Sequence, residues 1–235
     1  MGAGSSVRFK DAAGRESSAD LGVVDPGVLA AGSPFRVFRW RRGQAHYSGW
    51  YWSATTGGHV VYESRLELAR LLLADLDRRV VAIAAQPFCV TAEVEGVRRR
   101  HVPDFLLLGS DGVVTVVNVK PADQLDRPEV AEALGWAGEV FAGRGWRHEV
   151  WSGAPAVVLA NVRFLAGYRY PDRVDAATVS WLAGQVRTGA LLGDLEAGDR
   201  AGRVRAAALH LVWRGVFRVD LETPFSAATR LERVG

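Results

Sequence analysis

Arg99-Arg100-His101-Val102-Pro103-Asp104-Phe105-Leu106-Leu107-Leu108-Gly109-Ser110-Asp111-Gly112-Val113-Val114-Thr115-Val116-Val117-Asn118-Val119-Lys120-Pro121 reads as two extended runs joined by a tight turn. The runs Val102–Leu108 and Val113–Lys120 are rich in β-branched and large apolar residues, and Ser110-Asp111-Gly112 between them has the composition of a hairpin loop. A three-residue loop of this class needs a left-handed residue in its last position, which Gly112 supplies. Gly109 then faces Val113, and counting back along both strands sets Asp104 opposite Asn118. Side chains alternate faces along a strand, so Asn118 and Lys120 share one face, and Asp104, directly opposed, points to the same side. A loop one residue shorter or longer would turn Asp104 to the other face.

Outward from this hairpin the pattern alternates between helical and extended. Leu66, Ala69, Leu73 and Leu76 are spaced for a helix over about Tyr62 to Asp77, with Glu63 in its first turn. Val80–Gln86 and Phe88–Glu95 read as strands separated by Pro87, which limits helical continuation. After Pro121 a helix is expected from about Arg127 to Phe141, then a strand over Trp146–Trp151, with a further apolar strand, Ala156–Val162, closing the sheet. The fold class that follows is α/β, a mixed sheet flanked by helices. Beyond Tyr170-Pro171 the texture changes to helical patterns at Val174–Arg187 and Arg200–Trp213, a short extended stretch Val216–Leu221 and a last helical turn. Three regions are therefore expected: a mostly mobile Gly/Ala/Ser-rich tail over residues 1–34, a main domain over 35–170 and a small domain over 171–235. The last, basic at Arg200, Arg203, Arg205, Arg214 and Arg218, fits a winged-helix-like module and equally a helical extension packed on the main domain.

Composition narrows the partners less than the chemistry. A net charge of +3 is a weak argument for a polyanion, but the basic residues cluster at Arg39-Trp40-Arg41-Arg42 and Arg98-Arg99-Arg100. Arg41, Arg42, Arg98, Arg99, Arg100 and His101 are the candidate DNA contacts. Aromatic residues interleave with basic ones from Phe35 to Thr56, a texture that either stacks on exposed bases or seals a core edge. No apolar run approaches the roughly 18 residues of a membrane span, the first residues lack the pattern of a signal peptide, and one cysteine, Cys89, forms no internal disulfide. A cytoplasmic protein with no membrane partner is expected. Of 29 basic residues only Lys10 and Lys120 are lysine, leaving 27 arginines, so a lysine kept at a strand end invites explanation. A compact ammonium serves as a point charge or proton donor where a guanidinium fork does not fit.

Cleaving a phosphodiester takes a metal held by hard oxygen ligands, an activated water and positive charge near the transition state. Glu63, Asp104, Asn118 and Lys120 supply the residue types, with Gln86 as a supporting polar group. Singly, each has a plainer role: Asp104 as the residue that opens a strand after Pro103, Glu63 as a carboxylate favoured near a helix N-terminus, Asn118 as a polar strand end. Together, a polar Asn-x-Lys in a strand otherwise built of Val113, Val114, Val116, Val117 and Val119 marks an end that faces a cleft.

The stretches Tyr62-Glu63-Ser64-Arg65-Leu66-Glu67, Gln86-Pro87-Phe88, Arg99-Arg100-His101-Val102-Pro103-Asp104-Phe105 and Val117-Asn118-Val119-Lys120-Pro121 carry a resemblance. In order and spacing they resemble the catalytic domain of TnsA-like endonuclease subunits of heteromeric transposases, of the PD-(D/E)xK nuclease superfamily, over about Phe35 to Tyr170. That resemblance implies a restriction-endonuclease-like fold, magnesium as cofactor with manganese able to substitute, and cutting of one strand at transposon ends. It implies as partners double-stranded DNA, a DDE-type transposase subunit that cuts the other strand, and an ATPase regulator. Glu63 and Asp104 would be metal ligands, the backbone carbonyl of Val119 would complete the shell, and Lys120 would orient the attacking water or stabilise developing charge. The winged-helix tail of the family would match residues 171–235. Asn118 departs from the pattern, since Asp, Glu or Gln usually stands there; an amide oxygen still ligates a hard cation but adds no charge, and its arm is shorter than that of Gln. A catalytically inactive nuclease-fold protein for DNA binding or assembly is the alternative. A small transcription regulator built on the C-terminal helices would leave the Asn-x-Lys strand end unexplained.

Overall fold

The computed structural model describes residues 4–36, 47–197, 199 and 201–234. Arg41 and Arg42 lie outside the described residues. The chain divides into two compact units, Met1–Ala74 with Arg79–Gly153, and Asp75–Arg78 with Ala154–Gly235. The second unit thus takes over at Ala154, ahead of the change of texture at residue 171.

In unit 1 the chain runs β1 (Ser6–Lys10), β2 (Glu16–Asp20), α1 (Pro26–Ala30), β3 (Gly49–Ser53), β4 (Gly58–Tyr62), α2 (Arg65–Leu76), β5 (Val80–Ala85), β6 (Phe88–Val94), β7 (Val97–His101), β8 (Phe105–Gly109), β9 (Val114–Val119), α3 (Pro128–Gly143) and β10 (Arg147–Trp151). One sheet has the order β10-β9-β8-β5 and a second the order β2-β1-β6-β7, while β3 and β4 pair alone. The first sheet is mixed: β5, β8 and β9 are antiparallel neighbours, and β10 returns parallel to β9 through α3. Two sheets and a covering helix enclose one core, with Val7 and Phe9 from β1, Phe88 and Val90 from β6, Leu106 from β8, Val114 and Val116 from β9, and Trp136, Ala137 and Phe141 from α3.

The hairpin has the register deduced from its loop. Phe105↔Val117 through Leu108↔Val114 form the ladder, Gly109 N donates to Val113 O at 2.8 Å, and Gly112 sits at φ +80°. Val114, Val116 and Asn118 alternate to the core side where α3 lies, so Asn118 does not face an open cleft. At Asp104 the ladder steps out of phase: Asp104 N donates to Val117 O at 3.0 Å, and its carboxylate reaches across to Val119 N.

Three expectations are corrected. Residues 4–34 are built into secondary structure instead of forming a mobile tail: β1 lies between β2 and β6, with Val7 fully buried opposite Val90 and Phe9 opposite Phe88. The strand that carries the alternation Val7-x-Phe9 is only five residues long, and its partner β6 is about eighty residues away, so flanking Gly and Ser masked it. Ala156–Val162 is not a strand but the start of a helix, α4 (Ala156–Leu165). The β-branched pair Val157-Val158 suggested extension, yet Val158, Leu159, Val162 and Leu165 repeat at helical spacing, and the latter two are buried. The last helical turn is instead a strand, Arg230–Arg233, with Leu231 buried between exposed neighbours.

Unit 2 continues after α4 with α5 (Ala176–Gln185), β11 (Ala190–Leu191), α6 (Leu192–Glu196), α7 (Arg203–Trp213), β12 (Phe217–Arg218) and β13 (Arg230–Arg233). Its small sheet has the order β11-β13-β12. Helix α7 packs on α5, α6 and β12, and Ala207 through Trp213 are buried without a break. No helix among the described residues is long and apolar enough to cross a membrane.

Candidate active site

Glu63 stands at a bend after β4, two residues ahead of α2 rather than inside its first turn. The helix starts with a capping box, Ser64-x-x-Glu67: Glu67 N donates to Ser64 Oγ at 3.0 Å, and the Ser64 hydroxyl returns a bond to Glu67 Oε1 at 3.0 Å. Glu67 Oε2 takes Glu63 N at 2.7 Å, so the box also fixes the backbone that presents the Glu63 carboxylate. Helix α2 is tied to the sheet by a two-pronged ion pair, Arg70 to Glu149 of β10 at 2.7 and 2.8 Å.

Gln86 links the remaining parts. Its Nε2 donates to Glu63 Oε1, its backbone N donates to Asp104 O at 2.8 Å, and its backbone O accepts from Phe35 N at 2.8 Å. It is 3% exposed and holds φ at +46°, a conformation that costs a non-glycine residue about 1 kcal/mol or more. Asp104 Oδ2 accepts from Val119 N at 2.7 Å, and Lys120 N donates to Trp151 O at 3.0 Å. Glu63, Gln86, Asp104 and Val119 are thereby joined in one hydrogen-bonded chain at the end of the hairpin.

Charges at this end are crowded. Burial pushes the Asp104 carboxyl up, against the Val119 N–H and the Lys120 and Arg36 cations, which hold it down, while Glu63 adds repulsion. Glu67 rises to about 7, chiefly through burial, with Asp104 and Glu63 contributing like-charge repulsion against the bonds from Glu63 N and Ser64. Sequence reasoning passed over Glu67 as a site residue, although Ser64-x-x-Glu67 is the written form of a capping box and could have found it.

Asn118 is placed differently from Asp104. It is 1% exposed, and its amide joins two imidazoles: Nδ2 donates to His101 Nε2 at 2.8 Å, and Oδ1 accepts from His148 Nε2 at 3.0 Å. In that arrangement His148 carries its proton on Nε2 and His101 on Nδ1. His101 packs edge-on against Trp136 and His148 against Phe141, and burial lowers the pKa of both rings. At Gly138 of α3 a Cβ would lie 2.8 Å from His148 Nδ1, so the missing side chain is what lets the helix approach. Nothing in the sequence announces His148, because the parallel pairing of β10 with β9 that brings it to Asn118 is non-local. Asn118→Ala would strand polar nitrogens on both rings in the core, and a loss of about 2–4 kcal/mol in urea-unfolding stability is expected. A loss under about 0.5 kcal/mol would mean that the bridge is incidental.

Among the candidate DNA contacts, Arg98 and Arg100 are exposed on β7. Arg99 pairs with Glu132 of α3, and His101 is engaged by Asn118. Among the described residues no three His, Cys, Asp or Glu side chains converge as a group able to hold a metal ion. The hard-oxygen set at the hairpin end is two carboxylates, Glu63 and Asp104, with the main chain of Val119 beside them. A second observation suits a cation there: Gln86 Oε1 is buried without a hydrogen-bond partner among the described residues. No family model matches the chain, and no curated protein matches it.

Proposed function

We propose that the chain is a magnesium-dependent DNA endonuclease of the PD-(D/E)xK type, working as a cytoplasmic TnsA-like subunit that cuts one strand at transposon ends. The observation that carries this reading is the hydrogen-bonded chain Glu63–Gln86–Asp104–Val119, which brings two acidic residues to one strand end beside Lys120. In this reading Glu63, Asp104 and the Val119 carbonyl hold Mg2+ or Mn2+, which when bound activates a water and polarises the scissile phosphate. Lys120 supplies the fixed positive charge at the attacked phosphate, and Arg98 and Arg100 hold the backbone of the duplex. A mixed sheet covered by α3 on one face and tied to α2 by the Arg70–Glu149 pair supports the restriction-endonuclease-like fold.

Unit 2 supports the winged-helix reading through its order after α4: helix, strand, two helices and two strands, with the first strand paired to the last. The helix in the groove-reading place of that order is α7, and seven of its consecutive residues are buried. A partner subunit, the DDE-type transposase or its ATPase regulator, is therefore the better occupant of unit 2's surface than the major groove. A second reading, an inactive nuclease-fold assembly protein, is favoured by Asn118, whose amide serves two histidines instead of an open ligand position.

Nicking of supercoiled plasmid with and without chelator separates the two. Metal-dependent nicking is expected, falling about 100-fold or more in Lys120→Ala and in Lys120→Arg alike, because a guanidinium fork does not reproduce a compact ammonium. No cleavage by the wild type with the transposase partner and transposon-end DNA supplied would favour the assembly protein. Full rescue by arginine would assign Lys120 a general electrostatic role only.

A further inference from the structure

The amide of Gln86 is used at one end only. Its Nε2 donates to Glu63 Oε1, while Oε1 is buried and finds no donor among the described residues. Both ends belong to one planar amide, so the bond from Nε2 to Glu63 also fixes where the unpartnered oxygen points. A buried acceptor with no donor is costly, and a water or cation bound there would meet it. The backbone there is also held in the left-handed region at φ +46°, with N and O both bonded, so the side chain is aimed by the main chain rather than by chance packing. Strain of this kind persists where the surroundings over-determine it, and it gathers at functional sites.

We propose that Gln86 is a positioning residue for the metal site. Nε2 commits one oxygen of Glu63 and leaves the other for the ion, and Oε1 accepts a hydrogen bond from a water in the ion's shell. This role rests on the nuclease reading and adds to it a residue that touches neither substrate nor the reacting atoms. It also explains why a buried Gln is kept where Leu or Met would pack without strain in its polar groups.

The test is Mn2+ binding to the full chain without DNA, followed by electron paramagnetic resonance, with thermal unfolding recorded on the same samples. Gln86→Met keeps the length and loses both polar ends; affinity is expected to fall about tenfold, as for other residues that orient a metal ligand. Gln86→Glu keeps the shape but sets a carboxylate against Glu63. Its unfolding temperature without metal should fall, and its rise on adding Mn2+ should exceed that of the wild type, since a bound divalent ion would offset the added repulsion. Mn2+ affinity within twofold of wild type in Gln86→Met would overturn the proposal while leaving the nuclease reading intact. Should Gln86→Met fail to fold, an equal metal-induced rise in Gln86→Glu and wild type would overturn it instead. Absence of Mn2+ binding by the wild type would overturn the nuclease reading, and this proposal with it.

Discussion

Asp104→Asn is expected to lower metal-dependent nicking at least about a thousandfold, equivalent to roughly 4 kcal/mol of transition-state stabilisation. With Glu63 and Asp104 as the side-chain anions of the proposed shell, neutralising one halves the charge that holds a divalent ion. Asn at 104 still offers an oxygen to Val119 N, so the 2.7 Å bond survives and the hairpin end keeps its shape. Stability should move the other way. Burial and the nearness of Glu63 disfavour the ionised Asp104, so removing its charge leaves the unfolding temperature unchanged or raised. Activity lost together with a lowered unfolding temperature would point to a misfolded variant rather than a missing ligand. Undiminished, chelator-sensitive nicking by Asp104→Asn would sink the assignment.

The hairpin was legible because its information is local. A three-residue loop with Gly in the left-handed position fixes the register of its own two strands, and the alternation of Val114, Val116 and Asn118 carries that register into the core. Helix α3 was legible for the same reason, its apolar residues repeating within one element. What depends on remote partners was hidden. Strand β1 owes its place to β6, and His148 owes its contact with Asn118 to a parallel pairing reached through a sixteen-residue helix. The site divides along the same line. Glu63 and Asp104 were singled out by motif, but the register that set Asp104 opposite Asn118 gives way where the ladder steps out of phase, and the reading of Asn118 as an open, cleft-facing ligand assumed that the strand end faces solvent. Instead β7 and β10 bring one histidine each and close over the amide. Polar residues in an apolar strand have two physical solutions, exposure or a buried partner, and only the fold decides between them.

Glu67 gives the largest expected dependence on pH. Its folded-state pKa of about 7 stands above the ordinary value of 4.5, because the carboxyl is buried beside Asp104 and Glu63. The folded protein therefore holds this proton more tightly than the unfolded chain. The stabilisation is fully present below about 4.5 and is lost as pH rises through 7, amounting to on the order of 3 kcal/mol across the window. Glu67→Gln keeps the capping box, since an amide at that position also accepts from the backbone, but it does not ionise. With chelator present, the variant should match the wild type near pH 4.5 and exceed it by about 2–3 kcal/mol at pH 8 in urea unfolding. His101 and His148 act in the opposite sense. Their pKa values are lowered by burial, so they withdraw stability as pH falls below 6.5, and both chains share that loss. The difference between variant and wild type thus isolates Glu67. A difference that stays flat from pH 4.5 to 8 would show that the carboxyl ionises normally in the folded chain, and the crowding of negative charge at the hairpin end would then be too weak to attract a divalent cation.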